Sequence, residues 1–370
     1  MVGFVGAYFV ASRRRPTEAP RLVDWERVRS IAAAIARRDP EAGAYAELVP
    51  TYAAMVGRGQ AIIADYTGEP LPLATGNVHV FDRIAWLDAN VANFRLLFEP
   101  LEAVSERFFG GIGTRPFSDM NALLLSSQMG LLMGYLSRRV LGQYDLAVLG
   151  REPVTTGRLY FVEPNIRQVE RRLGLDPTDF RLWIALHETT HAYEFEAHPW
   201  LREHMNGLLQ RYFAALGDDL VNLRTDLSGL SSLARRVGSN VLRRDGYAVE
   251  LVMTPEQRAI FRSLQSLMCL LEGYSNHVMD HVGRDILPTY DRMKARFEDR
   301  LRRKGVAERL FAKLTGLDVK YEQYVLGERF VNEVVARAGI NGMNRVWRGP
   351  DALPTLDEIK QPSGWLTRVS

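Results

Sequence analysis

The chain has 370 residues, with 46% hydrophobic and 25% charged residues, enough to bury a large core and typical of a globular protein rather than a disordered or fibrous one. A formal net charge of +3 is small for this length and gives no reason to expect nucleic acid as a partner. The single cysteine, Cys269, excludes an intramolecular disulfide framework and fits a reducing compartment.

Taken in order, the chain opens on an apolar run from Met1 to Ala11 that is too short to span a bilayer. Its arginines, Arg13, Arg14 and Arg15, follow the run, the reverse of a secretory signal. The expectation is a strand or buried terminal segment, a cytoplasmic protein and no membrane span. Helical spacing of apolar residues predicts a helix over Leu22 to Arg38, a second over Ala42 to Gly57, then a segment closed by the turn Thr67-Gly68-Glu69-Pro70, and a longer helix over Val80 to Phe109. After the break at Arg115-Pro116, the stretch from Met120 to Leu136 is apolar nearly all round, which predicts a helix central in the core. Strand signals follow at Tyr144 to Leu149 and Arg158 to Val162, and Gly246 to Val252 could be a strand or a loop. Beyond Thr254-Pro255 a long helical pattern reaches Gly283, with further helices near Pro288 to Arg303, Val306 to Leu314 and Tyr321 to Ala338, and a tail containing proline and tryptophan.

The chemistry is concentrated in His187-Glu188-Thr189-Thr190-His191. On a helix, residues four apart lie on nearly the same face, so His187 and His191 can aim both imidazoles at one metal. Glu188 then sits where a carboxylate can reach a water on that metal. Asp176-Pro177-Thr178-Asp179 supplies the helix start, with Asp176 as the N-cap, and His198-Pro199 supplies the stop. Phe180, Ile184 and Phe195 share the histidines' face, which places the motif inside the protein.

A site with two histidines needs a third ligand and leaves a fourth position for water. The best carboxylate is Glu272, in mid-helix within an apolar run, where an uncompensated charge would be costly. Glu194, Asp280 and His277 are alternatives of lower rank. Asn276 and Asp280, at i+4 and i+8 from Glu272, could hold the free ring nitrogen of His187 or His191. Glu194 lies two turns, about 10 Å, along the helix from His187, which points to surface use or support of the ligands rather than shared coordination. His277 could donate to a developing oxyanion and is a catalytic candidate beside Glu188. Cys269 reads as a small core residue.

The combination of His187-Glu188-Thr189-Thr190-His191 with Trp200-Leu201, Glu272-Gly273, Val278-Met279-Asp280 and the tail Pro354-Thr355, Glu358-Ile359, Pro362 and Trp365-Leu366 resembles a bacterial family of zincin-like metallohydrolases, some labelled as associated with biosynthesis of the deazaflavin coenzyme. The resemblance runs from about Val23 to Val369 and implies a zincin-like α+β core in a mostly helical protein, with a small mixed sheet. It also implies zinc held by His187, His191 and Glu272. The Glu-type zincins space their ligand helices more closely than the 81 positions between His191 and Glu272, so an insertion over Leu208 to Glu250 would be looped out. Three regions are expected within one integrated unit: helical residues 1–143, a metal-binding core over 144–287, and a helical region with tail over 288–370. The expected activity is zinc-dependent hydrolysis of a peptide or other amide, with Glu188 as general base. The competing expectation is a metal-binding or scaffold protein without turnover, linked to coenzyme biosynthesis. An edge strand, Arg158 to Val162, is expected beside the cleft, where an extended peptide could pair with it.

Overall fold

The computed structural model describes residues 22–36, 45–71, 77–109, 115–145, 157–225, 253–302 and 317–369. The expected strand at the N-terminus, the run 246–252 and the helix near 306–314 lie outside them. The elements run α1 (Trp25–Ala36), α2 (Val49–Thr67), β1 (Val78–Phe81), α3 (Arg83–Phe109), α4 (Arg115–Ser137), β2 (Gly142–Asp145), β3 (Arg158–Val162), α5 (Glu163–Leu173), α6 (Pro177–Glu196), α7 (Pro199–Thr225), α8 (Pro255–Ile286), α9 (Tyr290–Arg302), α10 (Leu317–Met343), α11 (Leu356–Lys360) and α12 (Pro362–Val369). This is the expected mostly helical α+β architecture with a small mixed sheet. No helix among the described residues is long and apolar enough to cross a membrane.

The sheet has the order β1-β3-β2. β1 pairs with β3 in parallel, Val78 opposite Leu159, and β2 pairs antiparallel, Gly142 opposite Phe161. Arg158–Val162 is therefore the central strand and not the expected edge. Leu159, Tyr160, Phe161 and Val162 are all buried, as suits a strand covered on both faces. The edge nearest the histidine helix is β2. Val162 N–H donates to Leu141 O at 2.8 Å, which makes that couple a hydrogen-bonded pair and Gly142–Phe161 the alternate, non-bonded kind. The N–H and C=O of Gly142 accordingly point away from β3.

The main core is built from α2, α6, α8, α10 and the inner face of the sheet, with Tyr52, Ile63, Phe161, Phe180, Tyr193, Tyr274, Phe330 and Trp365 among its buried side chains. A second cluster joins α1, α3 and α4 through Val28, Ala32, Trp86, Leu87, Met129 and Met133. The Met120–Leu136 stretch belongs to this outer layer. Gly130 and Gly134 meet Ile31 and Ile35 of α1, while Leu123, Leu124 and Leu131 are exposed. The expectation of a central helix fails because a stripe of small residues, not the sum of apolar ones, decides which side of α4 is covered. α2 runs ten residues beyond its expected end at Gly57. Gly59 there faces α6, where a Cβ would make ordinary contact with Leu186 at 3.4 Å and Thr189 at 3.6 Å. α2 stops at Gly68, whose φ of 76° is the left-handed cap. Val80 and Phe81, read as the start of a helix, belong to β1.

Candidate metal centre

Two helix starts fix the site. Asp176 Oδ1 accepts from Thr178 N at 2.9 Å and Asp179 N at 3.0 Å, which opens α6. Thr254 and Gln257 form a reciprocal capping box that opens α8. The first turn of α6 is tied to the link that follows α8 by Asp179 Oδ2, which accepts from Thr289 N at 2.9 Å. Arg181 on α6 joins Glu163 at 2.8 Å and Glu170 at 2.9 Å. Tyr52 of α2 donates to the same fully buried Glu163 at 2.8 Å. α6 is thus anchored to α2, α5 and α8 before it reaches the histidines.

His187 and His191 project from one face with ring centroids 4.7 Å apart. Glu272 of α8 meets them, its Oε2 lying 3.7 Å from each Nε2. One donor atom from each of the three falls within 4.8 Å of the others. A tetrahedral zinc with bonds of about 2.0–2.2 Å holds its ligand atoms roughly 3.3–3.5 Å apart. The two sides that meet at Glu272 are wider by a few tenths of an ångström, a side-chain adjustment. Two neutral nitrogens and one carboxylate oxygen are a donor set that suits zinc, and the residues fit the ion. Glu188, the residue between, is buried and lies against Gly142 of β2.

The free nitrogen of His191 is held by neither Asn276 nor Asp280. Glu194 takes that place, with its Oε2 2.8 Å from His191 Nδ1, while Asp280 pairs with Lys294. Glu194 is fully buried. Burial pushes its carboxyl up, opposed by His191 and reinforced by Glu272. Burial also pushes His191 down, but the charges and hydrogen bonds of Glu194 and Glu272 outweigh it and hold the metal-free imidazole well above its usual range. Glu194 was visible in the sequence as i+3 from His191, a neighbour on the helix surface; its reach is measured from that histidine, not from His187.

His277 sits five positions beyond Glu272, about 140° around α8. Its Nδ1 lies 2.5 Å from Asn332 Oδ1 and its Nε2 2.7 Å from the Tyr66 hydroxyl. With Asn332 accepting, Nδ1 carries the proton and Nε2 accepts from Tyr66. His281 also lies against Tyr66, its ring centroid 4.4 Å away and the planes tilted by 32°. Burial lowers His277 below its usual range. Cys269 is a fully buried core residue.

At its C-terminal end α6 also grips the sheet. Glu196 Oε1 accepts from the Tyr144 hydroxyl, from Gly157 N at 2.6 Å and from Arg202 at 3.1 Å. β2 is thereby held along α6, with Gly142 beside Glu188 and Tyr144 beside Glu196.

The sequence profile of the zincin-like metallopeptidase family matches residues 23–366. The chain belongs to this family. The crystal structure of a candidate hydrolase with a novel fold from Chloroflexus aurantiacus is 39% identical, covers 94% of this chain over 98% of its own, and superposes with a TM-score of 0.66. No curated protein matches the chain. The zincin-like family and this neighbour support a metallohydrolase, and the His187–His191–Glu272 cluster is where its metal could sit.

Proposed function

We propose that the protein is a zinc-dependent peptidase or related amide hydrolase. The observation that carries the reading is the convergence of His187, His191 and Glu272 across two helices 81 positions apart, with the buried carboxylate of Glu188 beside them. Zinc at that position would lower the pKa of a water and polarise the scissile carbonyl. The chain's own residues do the rest. His187, His191 and Glu272 hold the ion, Glu194 fixes the His191 ring, and Glu188 takes the proton of the attacking water and returns it to the leaving nitrogen. The outward N–H and C=O of Gly142 give an extended peptide a strand to pair with beside Glu188, the role first expected of Arg158–Val162. We place His277 outside the reacting atoms, as the acceptor that orients the Tyr66 hydroxyl.

The test is a metal titration joined to a peptide-library assay. The wild type should bind about one zinc per chain, as a single two-histidine site implies. His187→Ala and His191→Ala should abolish binding. Glu188→Gln should keep zinc and lower the hydrolysis rate on the order of 10²-fold or more, because it removes a base and not a ligand. A wild type that takes up no zinc overturns the reading. One that binds zinc and cleaves nothing leaves a metal-binding scaffold.

A further inference from the structure

Strand β2 passes so close to the base that one of its residues has no room for a side chain. A Cβ at Gly142 would stand 2.6 Å from Glu188 Cγ, 2.7 Å from its Oε1 and 2.9 Å from its Cδ. Atoms do not approach so closely, so something must shift. The backbone at Gly142 is ordinary strand, outside the set of positive-φ glycines, and is held in register opposite Phe161. It is further fixed by Val162 N–H on Leu141 O and by the Glu196 grip on Tyr144. The strand is therefore the fixed partner and the Glu188 carboxylate the movable one.

We propose that Gly142 is a positioning residue for hydrolysis. Its missing side chain lets the Glu188 carboxylate lie flat against the face of β2, next to the edge along which the Gly142 N–H and C=O reach toward substrate. The inference rests on Glu188 being the base. It adds that the glycine sets where the base stands, so that substrate pairing and proton transfer share one residue's backbone. With any side chain at 142, Glu188 rotates away from that wall, although no ligand moves and the strand keeps its place.

Two measurements separate this role from general packing. In the first, Gly142→Ala is loaded with zinc and assayed on a peptide cleaved by the wild type. The kcat should fall on the order of 10²-fold, the scale of a lost general base, with zinc affinity unchanged and KM changed far less. An unchanged kcat overturns the proposal. The second is a stability cycle on metal-free protein, which needs no activity. Gly142→Ala should lower the melting temperature in the wild type and lower it less in Glu188→Ala, because the atoms it strikes are then absent. Equal shifts in the two backgrounds overturn the contact on which the proposal stands. A zinc-loaded wild type that cleaves no peptide overturns the hydrolase reading and the positioning role with it, while the cycle still reports whether Gly142 and Glu188 touch.

Discussion

Glu194 shows how far side-chain spacing can be read and where it needs the fold. The His-Glu-x-x-His pattern announces two imidazoles on one face, and the Asp176 cap announces the helix that carries them; both stand where the spacing puts them. Glu272 was legible as a carboxylate in an apolar run, and the structure brings it to 3.7 Å from both rings. Glu194 was legible as a support for the ligands but not as the partner of His191 Nδ1, and Gly142 was not legible at all, because nothing in a linear pattern says which ring nitrogen a carboxylate faces or which strand a glycine lies on. Glu194 leads to a sharp expectation. It accepts from His191 Nδ1, which leaves Nε2 as the nitrogen for the proposed zinc and would raise its basicity there. Glu194→Gln keeps the shape and removes the charge, so zinc affinity should drop by about 10–100-fold, the usual cost of losing such a partner. Competition against a chelating dye measures it; an unaltered dissociation constant would remove Glu194 from the site.

The helices that matter most were readable by periodicity, and their neighbours less so. α6 and α8 match their predicted spans within three residues, because each opens on a capped proline turn. β1 was hidden at the head of what reads as a helix, and with it the central place of β3, since a strand's neighbours are set by pairing and not by its own pattern. The packing of α8 on α10 was equally hidden. Gly273 and Gly327 lie at their crossing, where a Cβ on Gly327 would strike the Cys269 carbonyl and one on Gly273 would strike Gly327 itself. Backbone, unlike a flexible side chain, cannot turn aside. Gly327→Ala should therefore push the helices apart and destabilise the fold by about 1–3 kcal/mol or more. Gly273 adjoins Glu272, so zinc affinity should fall alongside. Denaturant unfolding and zinc titration of one variant check both, and a native midpoint would show that the crossing has slack.

At the scale of the whole molecule, stability should respond to pH with a sign that the metal changes. His198 is stacked on Trp347 at 4.9 Å, and burial lowers it from 6.5 to about 4. The unfolded chain takes up a proton there first, so stability is lost as pH falls from 6.5 toward 4. Glu194 and His191 act oppositely in metal-free protein. Both are raised, so the stability they contribute is present at low pH and lost as pH rises, from 4.5 upward for Glu194 and through the raised folded value for His191. Metal-free protein should thus be most stable in mild acid. Zinc needs a neutral His191 and favours an ionised Glu194, so its stabilisation should grow as pH rises. Melting curves with and without zinc at pH 5.5 and 8 test this; a zinc-induced rise equal at both would contradict it.

The grip of Glu196 has a consequence for how such a protein can diversify. Tyr144 at the end of β2 and Gly157 just before β3 meet on that one carboxylate, so the stretch of chain between them is tied off at its base. Lengthening a connection between two fixed points costs little beyond closure entropy, about 0.6 kcal/mol for each doubling. Relatives that differ in length between Asp145 and Gly157 can therefore keep β2 along α6 and Gly142 beside Glu188.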